Sequence, residues 1–521
     1  MCTDTSHSHR KLFTKSDLVN QHLAHLSNLR WNSIRNSNIC TLQILMVPSS
    51  AAMHTLDSTF VRDQLALRAC PLNEVRLQPE GEYVLYWMQS TMRFEENWAL
   101  RFATLEADRV GKPLVIYQGL NPHYEHANDR THTMIVGNAV ELGRRADALG
   151  YTYLFHLRTT VAGDNRVVDR LATRASLVVT DAFPTAGVDS RSARVAARIG
   201  CRMMAVDSHG VIAAAAFQKE EFAARTIRPK IAKLRDFSLE PVRDQPPRLS
   251  VSASLQASLE VDALVLDALD VAAAVASCEI DHTVAAVVDR APGLTAARAQ
   301  LSAFCADTLS DYSTRRNAPA DSAGSSRLSP YLHYGQISAA EVARTARETG
   351  APAEVEKFFD ELLTWRELSL NFCTRNRKFA TLDGLPNWVR ANMARHATDP
   401  REHVYDLATF EAAATHHPLW NAAQRELMAT GSIHNVMRMY WGKYIVLWSA
   451  SYEEALRIMI TLNNKYALDG RDPNSYGGIQ WCLGKFDRPW QRRPVLGTIR
   501  YMSIDLAYKK FDARTYERRW S

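Results

Sequence analysis

Residues 416–482 read HHPLWNAAQRELMATGSIHNVMRMYWGKYIVLWSASYEEALRIMITLNNKYALDGRDPNSYGGIQWC, which joins an aromatic helical pattern to a polar, glycine-containing turn. Gly431 ends the preceding segment and Ser432 is a suitable N-cap, so a new helix is predicted to begin there. Trp441 and Trp448 are seven residues apart and therefore share one face of that helix. Large indoles beside the turn DGRDPN, with its carboxylates and amide, suggest a flat, aromatic, partly polar cofactor.

The composition of the whole chain is that of an ordinary water-soluble protein. Its 521 residues suffice for two or three domains, and 46% of them are hydrophobic and 23% charged. The net charge of +6 permits a polyanionic partner without requiring one. No apolar run approaches the ~20 residues of a membrane span. The eight cysteines are scattered without metal-binding spacing, which favours reduced thiols in an intracellular protein without a bound metal.

Residues 1–60 differ from the rest of the chain. The first fifty positions contain two acidic residues, Asp4 and Asp17, and five basic ones among many Ser, Thr, Asn and His. Such a segment is compatible with an organellar transit peptide, with a disordered tail, or with a start site placed too far upstream. Met46 and Met53 both precede the first convincing folded element. All three interpretations stay open at the level of sequence.

Strand and helix patterns alternate through residues 61–235. The predicted strands are 83–88, 113–117, 151–157, 177–180 and 203–207, and helical patterns lie at 97–109, 132–149, 167–174 and 190–199. This alternation predicts a doubly wound parallel α/β domain, in which ligands bind at the carboxyl ends of the strands. No GxGxxG motif follows the first strand, which disfavours an NAD site.

Residues 236–294 are predicted to connect this domain to an all-helical domain at residues 295–521. Three prolines and weak periodicity mark the start of the connection. An alanine- and valine-rich stretch at 259–276 is predicted to be helical. From residue 295 onward helical patterns dominate, with one break at 318–329.

Six sequence words in the helical region carry a resemblance to a known family. They are LSPYLHYGQIS at 328–338, WREL at 365–368, TH and PLWN within 415–421, MRMYW at 437–441, LDGRDPN at 468–474 and IRYMS at 499–503. Together and in this order they resemble the photolyase/cryptochrome superfamily, and most closely its class II cyclobutane pyrimidine dimer photolyases. His417 departs from the family word THDPLW, which has aspartate there, and no role is assigned to it. The resemblance implies an antenna domain at 61–235 and a helical FAD-binding catalytic domain at 295–521.

The resemblance also implies an activity. It predicts light-dependent repair of cyclobutane pyrimidine dimers in double-stranded DNA, by electron transfer from excited reduced FAD to a flipped-out dimer. The alternative is a cryptochrome-like flavin photoreceptor without repair activity, which would share the fold, the flavin and the tryptophans. An antenna chromophore, a deazaflavin or a folate, is optional in this family. A monomer is expected, in the cytoplasm of a bacterium or in the nucleus or an organelle of a eukaryote.

Two segments are expected to hold the cofactor. The loop at 312–329 is Ser- and Gly-rich and leads into a helix, which is a natural phosphate cradle. By resemblance, the diphosphate is held by Tyr312, Ser325, Ser326, Arg327, Leu328 and Ser329. The further cofactor-binding residues implied by the resemblance are Arg438, Trp441, Asn463, Asp469, Gly470 and Asn474. Among these, Asn463 would face flavin N5, and Asp469 would pair with Arg438 beside the ring.

The resemblance assigns the remaining chemistry to aromatic and charged side chains. Trp441, Trp420 and Trp448, in this order from the flavin outward, would relay electrons to it. In a helix predicted over 358–372, Glu361 would bond the damaged base and Trp365 would form one wall of its pocket, with Trp481 as the opposite wall. DNA would be held by Arg316, Arg488 and Arg500. The last fifty-two residues contain eleven basic and five acidic residues, which fits such a partner.

Overall fold

The computed structural model of this protein describes residues 58–521, so the extension predicted over residues 1–60 lies outside the described residues except for its last three positions. The strands are β1 (Ala69–Pro71), β2 (Tyr83–Met88), β3 (Leu114–Leu120), β4 (Thr152–Leu157), β5 (Ala175–Asp181) and β6 (Met203–Val206). They form one six-stranded sheet in the order β1-β6-β5-β2-β3-β4. β1 is antiparallel to β6 and every other pair is parallel, which confirms the predicted doubly wound architecture.

The first helices alternate with these strands and continue into the connection. They are α1 (Ser58–Arg68), α2 (Trp98–Val110), α3 (Asp129–Leu149), α4 (Val167–Arg174), α5 (Val188–Ala196), α6 (Ala224–Ser238), α7 (Ala253–Ala257) and α8 (Val271–Ala276). α2 begins where the sequence predicted, because the side chain of Asn97 accepts a hydrogen bond from the backbone N–H of Leu100.

The second domain is helical throughout, as predicted. Its helices are α9 (Leu294–Asp307), α10 (Tyr312–Arg315), α11 (Ser329–His333), α12 (Ala339–Thr349), α13 (Pro352–Phe359), α14 (Arg366–Arg375), α15 (Asn387–His396), α16 (Leu407–Glu411), α17 (Pro418–Thr430), α18 (Asn435–Trp448), α19 (Tyr452–Tyr466), α20 (Pro473–Cys482), α21 (Ala507–Lys510) and α22 (Ala513–Arg519). One turn of π-helix, Asp360–Trp365, joins α13 to α14. Within the described part of the chain, no helix is both long and apolar enough to cross a membrane.

β2 shows why the sheet is covered on both faces. All six of its residues are buried. Tyr83 and Leu85 belong to one hydrophobic cluster, whereas Val84 and Tyr86 belong to another. Successive side chains of a strand point to opposite faces, so helices must cover both sides of this strand.

The loop that follows β2 is wrapped around a carboxylate of the chain itself. Asp181, at the end of β5, accepts hydrogen bonds from the backbone N–H groups of Gln89, Ser90 and Thr91 at 2.8, 2.7 and 3.0 Å. Its other oxygen accepts from the Tyr86 hydroxyl at 2.7 Å. In a dinucleotide-binding fold such backbone donors would hold a phosphate. Here the backbone N–H groups already donate to Asp181, which agrees with the absence of a GxGxxG motif.

The helix predicted over 259–276 is wrong for most of its length. Only α7, which precedes it, and α8, at its end, are helical. Between them Glu260 and Ala268 have left-handed backbone conformations with φ of +46° and +60°, which a helix does not accommodate. Leu264 instead donates its N–H to the carbonyl of Phe155 at 2.8 Å. Contacts with the sheet therefore override the helical propensity of this alanine-rich stretch.

Glu367 of α14 joins the two domains. Its carboxylate accepts from the backbone N–H of Val211, in the loop after β6, at 2.7 Å. On the same loop Arg68 donates to the carbonyls of Gly210 and Val211 at 2.9 and 2.7 Å. Burial raises the pKa of Glu367 to about 7, and the nearby Arg366 and Arg68 only partly oppose this.

A Glu367→Gln variant should therefore change how stability depends on pH. The folded chain keeps the Glu367 proton up to about pH 7, whereas the unfolded chain loses it near the ordinary value of 4.5. Ionisation thus destabilises the parent progressively as the pH rises from about 5 through 7. Thermal unfolding should show the variant's midpoint rising relative to the parent's over this range. Glu82→Gln, at an exposed ion pair with Arg174, is the control and should show no such rise. Parallel curves for Glu367→Gln and the parent would contradict the assignment.

Candidate functional site

α18 carries Trp441, the tryptophan predicted to lie nearest the flavin, and a histidine caps the start of this helix. The sequence analysis predicted Ser432 as the N-cap, which is wrong: His434 is the N-cap, and its Nδ1 accepts from the N–H of Val436 at 3.3 Å. Burial, together with the charge of Arg316, lowers the pKa of His434 to about 4. The ring is therefore neutral at physiological pH and keeps the lone pair that this cap needs.

The three predicted relay tryptophans lie in one buried row. Trp420 donates its indole N–H to the backbone carbonyl of Trp441 at 3.0 Å. Its ring meets that of Trp448 at a centroid distance of 6.5 Å and an angle of 63°. All three side chains are at most 5% exposed. Trp420 therefore contacts the backbone of Trp441 and the ring of Trp448, and its place in the middle of the relay stays a prediction.

Gln424 is a site residue that the sequence analysis missed. Its Oε1 accepts from the indole N–H of Trp441 at 2.9 Å, which fixes the orientation of that ring. Gln424 is four residues after Trp420 on α17, so the two side chains lie on one face. The spacing was visible in the sequence, but no pattern indicated that a buried amide would meet the next helix.

The charged pair expected beside a flavin ring is present. Arg438 Nη2 lies 3.2 Å from Asp469 Oδ1, with both side chains mostly buried. Asn463, which is 3% exposed, lies near the end of α19. Its amide N donates to Asn464 Oδ1 at 3.3 Å, and the same oxygen accepts from the N–H of Arg471 at 2.9 Å. The turn 468–474 is thus tied to the end of α19.

α20 begins inside this turn and exposes one open face. Asn474, Gly478 and Trp481 follow at helical spacing, and a Cβ placed on Gly478 would meet nothing within 4 Å. Gly470 is different, because a Cβ there would lie 2.9 Å from the carbonyl of Ala467. Gly470 is therefore required by packing within the turn, whereas the face with Gly478 borders empty space.

The serine turn expected at the diphosphate has unused donors. Within residues 58–521, the hydroxyls of Ser325, Ser326 and Ser329 form no hydrogen bond with the protein. Arg327 has a left-handed φ of +53° and lies 3.8 Å from Asp289, while Leu328 is buried just before α11. Free hydroxyls at the start of a helix suit phosphate oxygens. These donors, the Arg438–Asp469 pair and the open face of α20 together fit a flavin dinucleotide.

Glu361 lies on the π-helical turn, so the regular helix predicted over 358–372 is wrong at this point. Arg316 binds Glu361 at 2.6 Å, and Lys357 lies 3.5 Å from the same oxygen. Burial raises the pKa of Glu361, and these two cations oppose the rise. Arg316 also lies over the ring of Tyr312, at 5.8 Å from its centroid. In this structure Tyr312 and Arg316 therefore belong to the surroundings of Glu361, and Arg316 is not a free cation on the protein surface.

The sequence analysis predicted that Trp365 and Trp481 form opposite walls of a pocket. The structure contradicts this prediction. Their rings stack on each other with centroids 4.5 Å apart and planes at 19°. A base between them would need about twice that spacing, since stacked rings lie in van der Waals contact. The two indoles instead form one continuous aromatic surface. Gly477 permits this arrangement, because a Cβ there would collide with Ser369 of α14.

Arg488 and Arg500 are brought together by an exposed tryptophan that the sequence analysis missed. Their guanidinium carbons lie 4.9 and 5.2 Å from the ring centroid of Trp490. Trp490 is 40% exposed, and its indole N–H donates to Asp487 Oδ1 at 2.9 Å. Two cations flanking an exposed indole suit a partner with phosphates and unpaired bases.

A cavity of about 200 Å³ lies at the carboxyl ends of the strands, where the α/β fold predicts a ligand. Trp87 and Tyr117 supply aromatic surface, and Arg191 supplies charge. Tyr334 and Arg471 line the same cavity, and within residues 58–521 Tyr334 Oη and Arg471 Nε are buried without a hydrogen-bond partner. Buried polar atoms are normally satisfied, so these two favour a polar ligand in the cavity. Arg471 also belongs to the turn 468–474, so the cavity adjoins the candidate flavin site.

Comparison with known proteins agrees with this geometry. The DNA photolyase family profile matches residues 84–248. The deoxyribodipyrimidine photo-lyase of Arabidopsis thaliana is 35% identical over 83% of this chain and 88% of its own length. That of Methanothermobacter thermautotrophicus is 33% identical, over 84% of this chain and 94% of its own length.

Solved structures show the same fold. A bacterial class III photolyase from Agrobacterium tumefaciens superimposes with a TM-score of 0.60 at 16% identity, covering 86% of this chain and 88% of that one. An archaeal photolyase from Sulfolobus tokodaii, solved with two FAD molecules, gives 0.60 at 17% identity, covering 84% and 89%. With full-length relatives above 30% identity and this shared fold, the chain belongs to the DNA photolyase family.

Proposed function

We propose that this chain is a deoxyribodipyrimidine photo-lyase, a carbon–carbon lyase that uses light to split cyclobutane pyrimidine dimers in DNA. The observation that carries this assignment is that Asn474, Gly478 and Trp481 lie on one face of α20. Asn474 and Gly478 border the open space beside the flavin turn, and Trp481 on the same face stacks on Trp365. One helix thus lines both the cofactor side and the aromatic surface on which a flipped dimer would rest.

The relatives support repair over the alternative of a photoreceptor. Those from Arabidopsis, Methanothermobacter, rice and the marsupial Potorous tridactylus are all deoxyribodipyrimidine photo-lyases, at 32–35% identity. No observation on this chain favours the cryptochrome-like alternative. The six sequence words support membership of class II within the family.

Reduced FAD, when bound, would supply the light-driven one-electron chemistry that opens the dimer. The chain's residues prepare this exchange. Arg438, held by Asp469, would place positive charge beside the ring. Glu361, held by Arg316, offers a carboxyl to the damaged base. The stacked indoles offer a π surface to the dimer and exclude water.

The cavity in the α/β domain is the proposed site of an antenna chromophore. Its aromatic walls and its unsatisfied donors fit a planar ligand with polar edges, and both a deazaflavin and a folate meet that description. Its position beside Arg471 would bring such a ligand next to the flavin turn.

Repair of a defined thymine dimer tests the function. Purified protein, its flavin chemically reduced, should restore intact thymines in a dimer-containing duplex under blue light and leave the duplex unchanged in the dark. A flavin-containing protein that binds this DNA yet never repairs it would favour the photoreceptor alternative instead.

Replacement of the inner relay residue, Trp441→Phe, should block light-driven reduction of the bound oxidised flavin. Phenylalanine keeps the aromatic packing but is far harder to oxidise than an indole, so electrons no longer enter from Trp420. Trp98→Phe, at a buried tryptophan of the α/β domain, is the matched control and should photoreduce like the parent. Absorption spectra recorded during illumination with a thiol reductant measure the effect. Photoreduction at the parental rate in Trp441→Phe would remove this residue from the relay.

The two arginines on Trp490 should have separable effects on DNA binding. If Arg500 contacts phosphate, Arg500→Ala should weaken binding to damaged and undamaged duplexes alike, and the slope of log affinity against log salt should fall by about one. If Arg488 fills the gap left by the flipped dimer, Arg488→Ala should weaken binding to damaged DNA selectively, with little change in slope.

Titrations of both duplexes at several salt concentrations decide between these outcomes. Arg248→Ala, at an exposed arginine paired with Asp108 on the α/β domain, is the control and should bind like the parent. Parental curves for both Arg488→Ala and Arg500→Ala would place the DNA elsewhere.

A further inference from the structure

A lysine is buried at the point where α20 ends and the loop with Arg488 and Trp490 begins. Lys443 lies on α18, two residues after Trp441, and its side chain is fully buried. Its ammonium donates to the backbone carbonyl of Cys482, the last residue of α20, at 2.7 Å. A buried charge destabilises a fold unless bound groups compensate it. The groups around Lys443 therefore decide whether it has a role beyond packing.

The carbonyl that Lys443 binds lies at the end of a helix, where the last carbonyls lack partners within the helix itself. That of Trp481 accepts from the backbone N–H of Gly484, in the turn that follows, at 3.0 Å. The carbonyl of Cys482 accepts from Lys443 instead. A cation at this end also interacts favourably with the helix dipole. Lys443 thereby fixes the end of α20, one residue after Trp481 of the aromatic surface.

Asp487 organises the loop beyond this helix. Its Oδ1 accepts from the backbone N–H of Arg488 and from the indole N–H of Trp490, both at 2.9 Å. Its Oδ2 is buried, and within residues 58–521 this oxygen has no hydrogen-bond partner. A carboxylate with a buried, unbonded oxygen needs positive charge nearby to stay ionised. The bond between Asp487 and the indole of Trp490 thus depends on the charges around it.

Lys443 supplies such a charge from the interior. Burial lowers the pKa of Lys443 to about 8, while Cys482 of α20 and Asp487 of the loop oppose this shift and the charge of Arg500 adds to it. Burial raises the pKa of the Cys482 thiol to about 11, so this group is neutral when Lys443 titrates. Near neutral pH the ammonium and the Asp487 carboxylate therefore attract each other across the end of α20.

We propose that Lys443 is a positioning residue for the binding of damaged DNA. Its ammonium holds the end of α20 through the Cys482 carbonyl and compensates the charge of Asp487, which in turn holds the indole of Trp490. This inference rests on the proposed function, in which Trp490 and its two flanking arginines meet DNA and Trp481 meets the flipped dimer. The buried charge thus opposes folding stability and serves recognition of the damaged duplex.

This role makes DNA binding depend on pH. As the pH rises through about 8, Lys443 loses its proton and Asp487 loses the charge that compensates it. Affinity for a dimer-containing duplex should therefore fall about tenfold between about pH 7 and about pH 9.5, the effect of one hydrogen bond to a charged group. Over the same range Lys443 contributes a rise in the free energy of unfolding, because the unfolded chain keeps this proton up to the ordinary value of 10.5. The loss of affinity is therefore no sign of unfolding.

Two variants test the proposal on the flavin-loaded, full-length protein. Lys443→Met keeps a long buried side chain but removes the charge and the donor. At about pH 7 it should bind the damaged duplex about tenfold more weakly than the parent, with no further loss at higher pH. Asp487→Asn keeps an acceptor for the indole of Trp490 but removes a charge that favours the protonated form of Lys443. The midpoint of its pH profile should therefore lie below that of the parent.

Titrations of damaged and undamaged duplexes at a series of pH values supply these affinities. Lys465→Met, at a partly buried lysine of α19 that pairs with Glu411 at 2.7 Å, is the matched control and should keep the parental affinity and pH profile. Thermal unfolding of each variant shows whether the fold is kept.

The outcomes separate this inference from the proposed function. Parental affinity and pH profile in Lys443→Met would overturn the role of Lys443 alone. So would an unchanged midpoint in Asp487→Asn, which decides the matter even where Lys443→Met does not fold. A parent that binds the damaged duplex with the expected pH profile but never repairs it would contradict the proposed function, whereas its profile would still support the role of Lys443.

Discussion

Asp472 is a buried carboxylate at the start of α20, and a buried charge is tolerated only when hydrogen bonds compensate its lost hydration. It accepts from His333 Nδ1 at 3.1 Å and from the N–H and side-chain amide of Asn474 at 2.9 and 2.8 Å. Burial alone would raise its pKa, but these bonds and the charges of His333 and Arg366 lower it to about 2. The side chain of Asp472 thereby connects three parts of the site. These are α11 with the serine turn before it, the flavin turn, and the open face of α20.

The same turn links the two domains. Arg471 lies between Asp469 and Asp472 on one side and the α/β cavity on the other, where its guanidinium covers the ring of Tyr124 at 4.5 Å. On the opposite side of the interface, Glu367 holds the loop after β6 two residues beyond Trp365. The α/β domain thus helps to position the turn 468–474 and α14 of the helical domain.

Local pattern predicted the parts of the fold in which one physical effect dominates. β2 and α4 have the bounds that their patterns predicted, because β2 is a fully buried apolar run and α4 is an amphipathic helix with one buried face. The helix prediction for residues 259–276 was wrong because contacts with β4 compete with helix formation. The π-helical turn at Glu361 could not be foreseen, since its side chains read as an ordinary amphipathic helix.

The candidate site shows the same division. The sequence words predicted the three tryptophans and the Arg438–Asp469 pair. In the structure these residues lie close together, as predicted. Two other features depend on how α14, α20 and α10 pack against one another. They are the stack of Trp365 on Trp481 and the ion pair of Arg316 with Glu361. Such contacts between distant segments have no periodic signal in one sequence. Trp490 was missed for a related reason, because a lone tryptophan in a loop reads as a packing residue.

The central claim is that a flavin held by this turn drives repair of the dimer on the aromatic surface beside it. The action spectrum of repair tests this most directly, as the yield of repaired dimer per incident photon at a series of wavelengths. The account predicts that the yield follows the absorption of the reduced flavin, together with that of any antenna chromophore bound in the α/β cavity. Repair in darkness, or a yield that does not follow these absorption bands, would contradict it.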